Sequence, residues 1–146
     1  MDLHRELWLP RPLDRVFPFF ADAGNLQALT PPWLHFRILT PAPIVMREGT
    51  RIDYRIRLHG IPIGWQSEIT AWDPPHRFVD EQRRGPYSDW KHTHTFETTR
   101  GGTTMRDHVD YGVPFAFVSR WPVTRDLKRV FDYRREAMLK LFTPPA

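Results

Sequence analysis

The sequence predicts one α+β domain over residues 1–146. In it a curved antiparallel sheet of six or seven strands wraps around a long C-terminal helix, with two short helices after the first strand. Three observations carry this expectation. Apolar residues recur with period 3.6 just after residue 12, alternate with period 2 between Trp33 and Tyr111, and return to period 3.6 after Pro122. The 15 prolines fall mostly between these patterned segments, where they punctuate a chain that also carries six tryptophans and so lacks the composition of disorder. A length of 146 residues with 40% hydrophobic content suffices for a single core that needs no covalent staple.

Taken in order, residues 2–9 set Leu3, Leu7 and Leu9 against His4, Glu6 and Trp8, a first strand that Pro10 and Pro12 end. Pro12 suits the start of a helix, where its missing N–H is not needed. Leu13, Val16, Phe17 and Phe20 then share one helical face. Pro18 inside that helix costs on the order of 3 kcal/mol and predicts a short or bent one. A second short helix covers residues 26–29, and Thr30-Pro31-Pro32 stops it. Residues 33–39 read as a strand. Residues 51–58 alternate strictly, with Ile52, Tyr54, Ile56 and Leu58 on one face and Arg51, Asp53, Arg55 and Arg57 on the other. Such a strand has one packed face and one in water. His59-Gly60-Ile61-Pro62 turns into a strand over 63–72, Asp73-Pro74-Pro75-His76 into 77–83, Gly85-Pro86 into 89–98, and Gly101-Gly102 into 103–111. Leu127, Val130, Phe131, Arg134, Met138 and Leu141 share one face of a helix over residues 124–142. Thr124 is its expected N-cap, Asp126 lies in the first turn, and Lys140 near the end suits the macrodipole.

Composition narrows the function. The chain has no cysteine, which excludes disulfides, thiolate metal sites and a cysteine nucleophile. Charges at Asp2, Arg5, Glu6, Arg11, Asp14 and Arg15 interrupt the first twenty residues, and no stretch of about 18 apolar residues appears. The expectation is a soluble cytoplasmic protein without stable membrane insertion. The 21 basic and 17 acidic residues give a net charge of +4, spread along the chain. Arg51, Arg55 and Arg57 form the nearest approach to a basic stripe and read as a solvated sheet face, so no nucleic acid is expected. There is no serine nucleophile motif, phosphate loop or dinucleotide fingerprint, and no cofactor is expected.

Alternation also says what faces inward. Trp90, His92, His94 and Phe96 share a face of the sixth strand, which must be the inner one, since a one-residue slip would put Trp90 and Phe96 in water. Met105, Asp107, Val109 and Tyr111 share a face of the seventh. On the fifth strand Phe78, Asp80 and Gln82 face inward if Phe78 is the anchor; the alternative turns Val79 in, with Glu81 and Arg83. Trp65 comes from the fourth strand and Tyr54 from the third. Arg134 sits between Phe131 and Met138 on the helix and needs a carboxylate partner, Asp80 or Asp107, because an unpaired buried charge is too costly.

A curled sheet and a straight helix cannot touch along their whole length. A cavity is therefore expected between them, suited to a small hydrophobic molecule. Its expected walls are Tyr54, Trp65, Trp90, His92, His94, Phe96, Met105, Val109, Phe131 and Met138, with Asp80, Gln82, Asp107 and Arg134 as polar groups. Three readings of the polar residues compete: they brace the helix on the sheet, they hold the polar end of a ligand, or they act in catalysis or metal binding. His92-x-His94 on one face, with Asp107 as third ligand, is the metal version. No metal is expected, since no fourth ligand is evident. A His–Asp pair could also be the general base of an aldol-type cyclisation. His4, His35, His59, His76 and His108 are expected scattered in solvent, and Trp72 and Trp121 in rim or core packing.

The stretch LWLPRPLDRVFPFFADAGNLQALTPPWLHF (residues 7–36), with RFVDEQRRGPYSDWKHTHTFE (77–97), GGTTMRDHVDYGVP (101–114) and FDYRREAMLKLF (131–142), resembles the SRPBCC superfamily, the START-like or Bet v 1-like ligand-binding proteins. The resemblance covers nearly the whole chain and implies a helix-grip fold. It also implies binding of a lipid, a quinone or a polyketide-like aromatic. The alternatives it implies are a polyketide cyclase/dehydrase-type enzyme using His92 or His94 with Asp107, or a ribosome- or protein-interaction module. The superfamily shares a cavity rather than a catalytic set, and the oligomeric state stays open.

Overall fold

A computed structural model describes residues 1–114 and 122–143. The described chain runs β1 (Asp2–Leu9), α1 (Leu13–Phe20), α2 (Leu26–Leu29), β2 (Arg37–Ile38), β3 (Arg51–Leu58), β4 (Ile61–Asp73), β5 (Arg77–Arg84), β6 (Asp89–Thr99), β7 (Gly102–Gly112) and α3 (Val123–Phe142). The strands form one seven-stranded sheet in the order β1-β7-β6-β5-β4-β3-β2, with every neighbouring pair antiparallel. Consecutive hairpins build it from β2 to β7, and β1 returns to pair with β7. The sheet curls around α3, with the short helices closing one end. No described helix is long and apolar enough to cross a membrane.

Two tight turns depend on left-handed backbone. His59 and Gly60 take φ of 50° and 80°, and Arg100 and Gly101 take 48° and 73°. Positive φ at both loop residues matches the twist of the flanking strands. Each turn is thus shorter than the sequence suggests: Ile61 and Pro62 already belong to β4, and Gly102 opens β7. A methyl group on Gly102 would run into the Leu9 carbonyl oxygen and the Trp8 ring. Gly102→Ala is expected to cost about 1–3 kcal/mol through overpacking, read as a lower urea midpoint; an unchanged midpoint would show that β1 yields there freely.

Three further expectations are corrected. Residues 33–39 are not one strand: Pro32–Leu34 form a 3-10 turn, His35 is left-handed at φ 48°, and only Arg37 and Ile38 pair with β3. Proline at the first position favours a helical turn. On α3, Leu141 is 50% exposed and Phe142 takes the buried position. The α3 N-cap is Pro122, and Thr124 lies exposed inside the first turn. Trp72 packs against Phe17 and Phe78. Trp121 and the terminal Pro144-Pro145 lie outside the described residues.

The interior splits into two apolar clusters. One gathers Leu9, Val16, Phe17, Phe20, Phe78, Phe96, Met105 and Met138, and the other Tyr87, Trp90, Val109, Tyr111, Leu127 and Phe131. Along β6, β7 and α3 the residues between the clusters are His92 and His94, Asp107, and Arg134, all buried. A polar band therefore crosses the core.

Candidate functional site

Strand register assembles that band. Asp80 on β5 lies opposite His92, and Asp107 on β7 lies opposite His94. The hydrogen bonds nevertheless run diagonally. His92 Nε2–H donates to Asp107 Oδ1 and His94 Nε2–H to Asp80 Oδ2, each across 2.7 Å. The two imidazoles stack with centroids 3.6 Å apart, and Phe78 covers the outer face of His94 at 3.9 Å. Phe78 is thus the inward anchor of β5. From α3, Arg134 Nη2 lies 3.5 Å from Asp107 Oδ1 and 3.4 Å from His94 Nδ1. Phe20 and Phe131 flank its guanidinium, 5.5 and 5.9 Å from their ring centres.

These contacts set the charges. Burial alone would raise the Asp107 carboxyl, but the Arg134 charge and the hydrogen bond from His92 hold it well below the usual carboxylate range. Asp80 is also held low: burial pushes it up, and the hydrogen bond from His94 with the charges around it outweigh that. Burial and the adjoining His94 ring press His92 down to about 4, against the pull of Asp107. His92 is therefore neutral at neutral pH, with its proton on Nε2 and a lone pair on Nδ1.

Beside the band opens a cavity of about 390 Å³. Of the residues the sequence singles out, Tyr54, Trp65, Asp80, Trp90, His92, His94, Phe131 and Arg134 form its walls. Phe96, Met105 and Met138 do not, because α1 fills that end of the grip: Phe17 and Phe20 each pack on Phe96 at 5.2 Å. Val109 belongs to the other packed cluster. Asp107 lies buried behind His92, as its partner, away from the cavity walls. Gln82 turns away altogether, donating to the Tyr87 carbonyl and accepting from its N–H, and so braces the β5–β6 turn.

The walls also include residues that sequence reasoning passed over. Ile52 and Ile56 lie on the inner face of β3, where alternation already put them. Leu29 comes from α2, and Trp33, Leu34 and Phe36 from the turn after it, which its apolar run disguises as a strand. Deep in the wall, the Tyr54 hydroxyl meets Ser67 Oγ at 3.1 Å, and burial pushes its phenol pKa up. At the rim, His59 bonds Asp126 across 2.7 Å and ties the β3–β4 turn to α3. His4 and His108 are not scattered either: they are cross-strand partners on the outer face, stacked at 4.2 Å beside Asp2.

Asp80, His92 and His94 place possible ligand atoms within 4.8 Å of one another. If they held a metal, Asp80 and not Asp107 would be the carboxylate ligand, and Asp107 would brace the far nitrogen of His92. The Arg134 cation beside His94 opposes such an ion.

A family model described as "Polyketide cyclase / dehydrase and lipid transport" matches residues 9–140. The chain belongs to this family. No curated protein matches it. Solved structures with the same fold include protein Ms6760 from Mycobacterium smegmatis, 21% identical, covering 97% of this chain and 90% of that one with a TM-score of 0.72. Protein CV1439 from Chromobacterium violaceum is 16% identical, with coverage of 99% and 98% and a TM-score of 0.78. Major latex-like protein 151 from Panax ginseng is 12% identical, with coverage of 99% and 98% and a TM-score of 0.72. These likenesses establish the helix-grip fold. In this member of the polyketide cyclase/dehydrase and lipid-transport family, the space between sheet and helix is an aromatic-walled cavity ending on a charged, hydrogen-bonded floor.

Proposed function

We propose that the protein binds a small hydrophobic molecule in this cavity, of the size of a lipid fragment, a quinone or a polyketide-like aromatic. One observation carries the reading: a cavity of about 390 Å³ has walls of Tyr54, Trp65, Trp90 and Phe131 that converge on Asp80, His92 and His94. Pockets of a few hundred Å³ with apolar walls and a few convergent polar groups are the usual form of small-molecule sites. Nile red, a neutral apolar dye, should bind at one equivalent with a rise in fluorescence. Ile56→Trp, which places a larger ring in the wall, should abolish that binding while the protein still unfolds cooperatively. If the wild type binds no dye, or the filled variant binds as well, the reading falls.

A second reading, a cyclase- or dehydrase-type enzyme, draws on the hydrogen bond between His92 and Asp107. A histidine pressed down to about 4 is a weak general base at neutral pH, which favours binding over turnover. Recovery of a bound polyketide-like aromatic unchanged after prolonged incubation separates the two; conversion that His92→Gln abolishes would establish the enzyme.

A further inference from the structure

We propose that the molecule this cavity takes carries a neutral hydrogen-bond donor, a hydroxyl or amino group on an apolar body, which docks between Asp80 and His92. This rests on the cavity being a ligand site and narrows which hydrophobic molecules it accepts.

The geometry points to two acceptors facing each other across a gap. His92 gives its Nε2 proton to Asp107, so Nδ1 presents a lone pair. That nitrogen lies 3.9 Å from Asp80 Oδ2, too far for a hydrogen bond between them. Both groups are in the cavity wall, and the Asp80 side chain keeps 20% of its surface exposed. Asp80 accepts from His94 and retains lone pairs on its carboxylate. A donor atom about 2.8–2.9 Å from each acceptor closes the gap without moving either. A hydroxyl can donate to one of them, and an amino group to both at once.

Charge selects further. Asp80 and Asp107 are two carboxylates facing the single guanidinium of Arg134, which lies against Asp107 and His94. With the His92 ring neutral, the two groups that flank the gap, Asp80 and His92 Nδ1, are both acceptors, which favours a donor over an anion placed between them. Arg134 is already engaged by Asp107 and His94, and the other arginines among the wall residues, Arg57 and Arg129, are exposed, with Arg129 stacked on Trp33 at 4.8 Å. A ligand carboxylate would therefore leave both inner acceptors unpaired, whereas a hydroxyl pairs one of them and an amino group both.

Displacement of Nile red by a matched series tests this: para-butylphenol, its methyl ether para-butylanisole, and para-butylbenzoate, at neutral pH. The bodies are nearly the same size, so differences report the head group. The phenol should bind at least about tenfold tighter than the ether or the benzoate, as expected of a hydrogen bond to a charged acceptor. Asp80→Asn, checked by its melting curve, should reduce that preference to about threefold or less. Equal affinities in the wild type would overturn the proposal and leave the hydrophobic site standing. Tighter binding of the benzoate would overturn it on the sign of the charge. A protein that binds none of the three and no Nile red would instead sink the ligand site itself. Should Asp80→Asn not fold, the comparison of phenol with ether in the wild type decides alone.

Discussion

Arg134→Leu is expected to destabilise the protein by about 3–5 kcal/mol, the usual cost of removing one partner from a buried ion pair. Arg134 and Asp107 are both buried between the two apolar clusters, and the arginine is the only fixed cation within reach of that carboxylate among the described contacts. Without it the Asp107 charge keeps only the hydrogen bond from the His92 ring, and its carboxyl must rise toward protonation. Part of the wild-type cost is already visible, since Arg134 Nε is buried without a hydrogen-bond partner among the described residues. Pairing the change with Asp107→Leu should recover much of the loss, because two apolar residues of similar volume leave no stranded charge. Urea unfolding measures both. A loss below about 1 kcal/mol in the single variant would mean that the guanidinium does not hold the carboxylate.

Acid should weaken the fold well before ordinary carboxylates titrate. The unfolded chain takes a proton at residue 92 near the usual histidine value of about 6.5, whereas the folded protein refuses it down to about 4. Across that window the unfolded state binds more protons, so stability falls as pH falls, by about 3 kcal/mol in all. Asp80 and Asp107 act in the same direction at lower pH. Their folded values are depressed, so their contribution is full above the unfolded carboxylate value and is lost as pH falls through the folded one. Urea midpoints between pH 7.5 and 4 should trace the first step, and His92→Gln should flatten it. A flat wild-type profile over this range would show that His92 is not held neutral by burial.

How far the chain can be read without its fold is clear at particular residues. The inner face of β6 was legible because Trp90 and Phe96 bracket His92 and His94 at period 2, and water excludes the opposite register. Arg134 was legible as a charge in need of a partner because its helical neighbours Phe131 and Met138 are apolar. The span from Trp33 to Leu39 misled, since an apolar run with aromatic residues looks like a strand, while Pro32 and the left-handed His35 bend it into a turn. Gln82 misled for another reason: alternation assigns a face, but a long polar side chain can turn back to its own loop.

By itself, the amino-acid sequence determined the order of elements, an antiparallel sheet of six or seven strands with a long helix, the inward histidines, and a chain free of cysteine chemistry. Each of these follows from local periodicity or composition, which neighbouring residues set among themselves. Only the tertiary structure decided that His92 and His94 exchange partners diagonally, and that Asp80 rather than Asp107 borders the cavity. It alone placed the cavity at the α2 and β3 end, because α1 fills the other. Those outcomes depend on strand register, on a shift in the β4–β5 pairing between Ile69 and Ala71, and on which side chains reach a shared space first. They join residues far apart in the chain, and periodicity holds no information about such contacts.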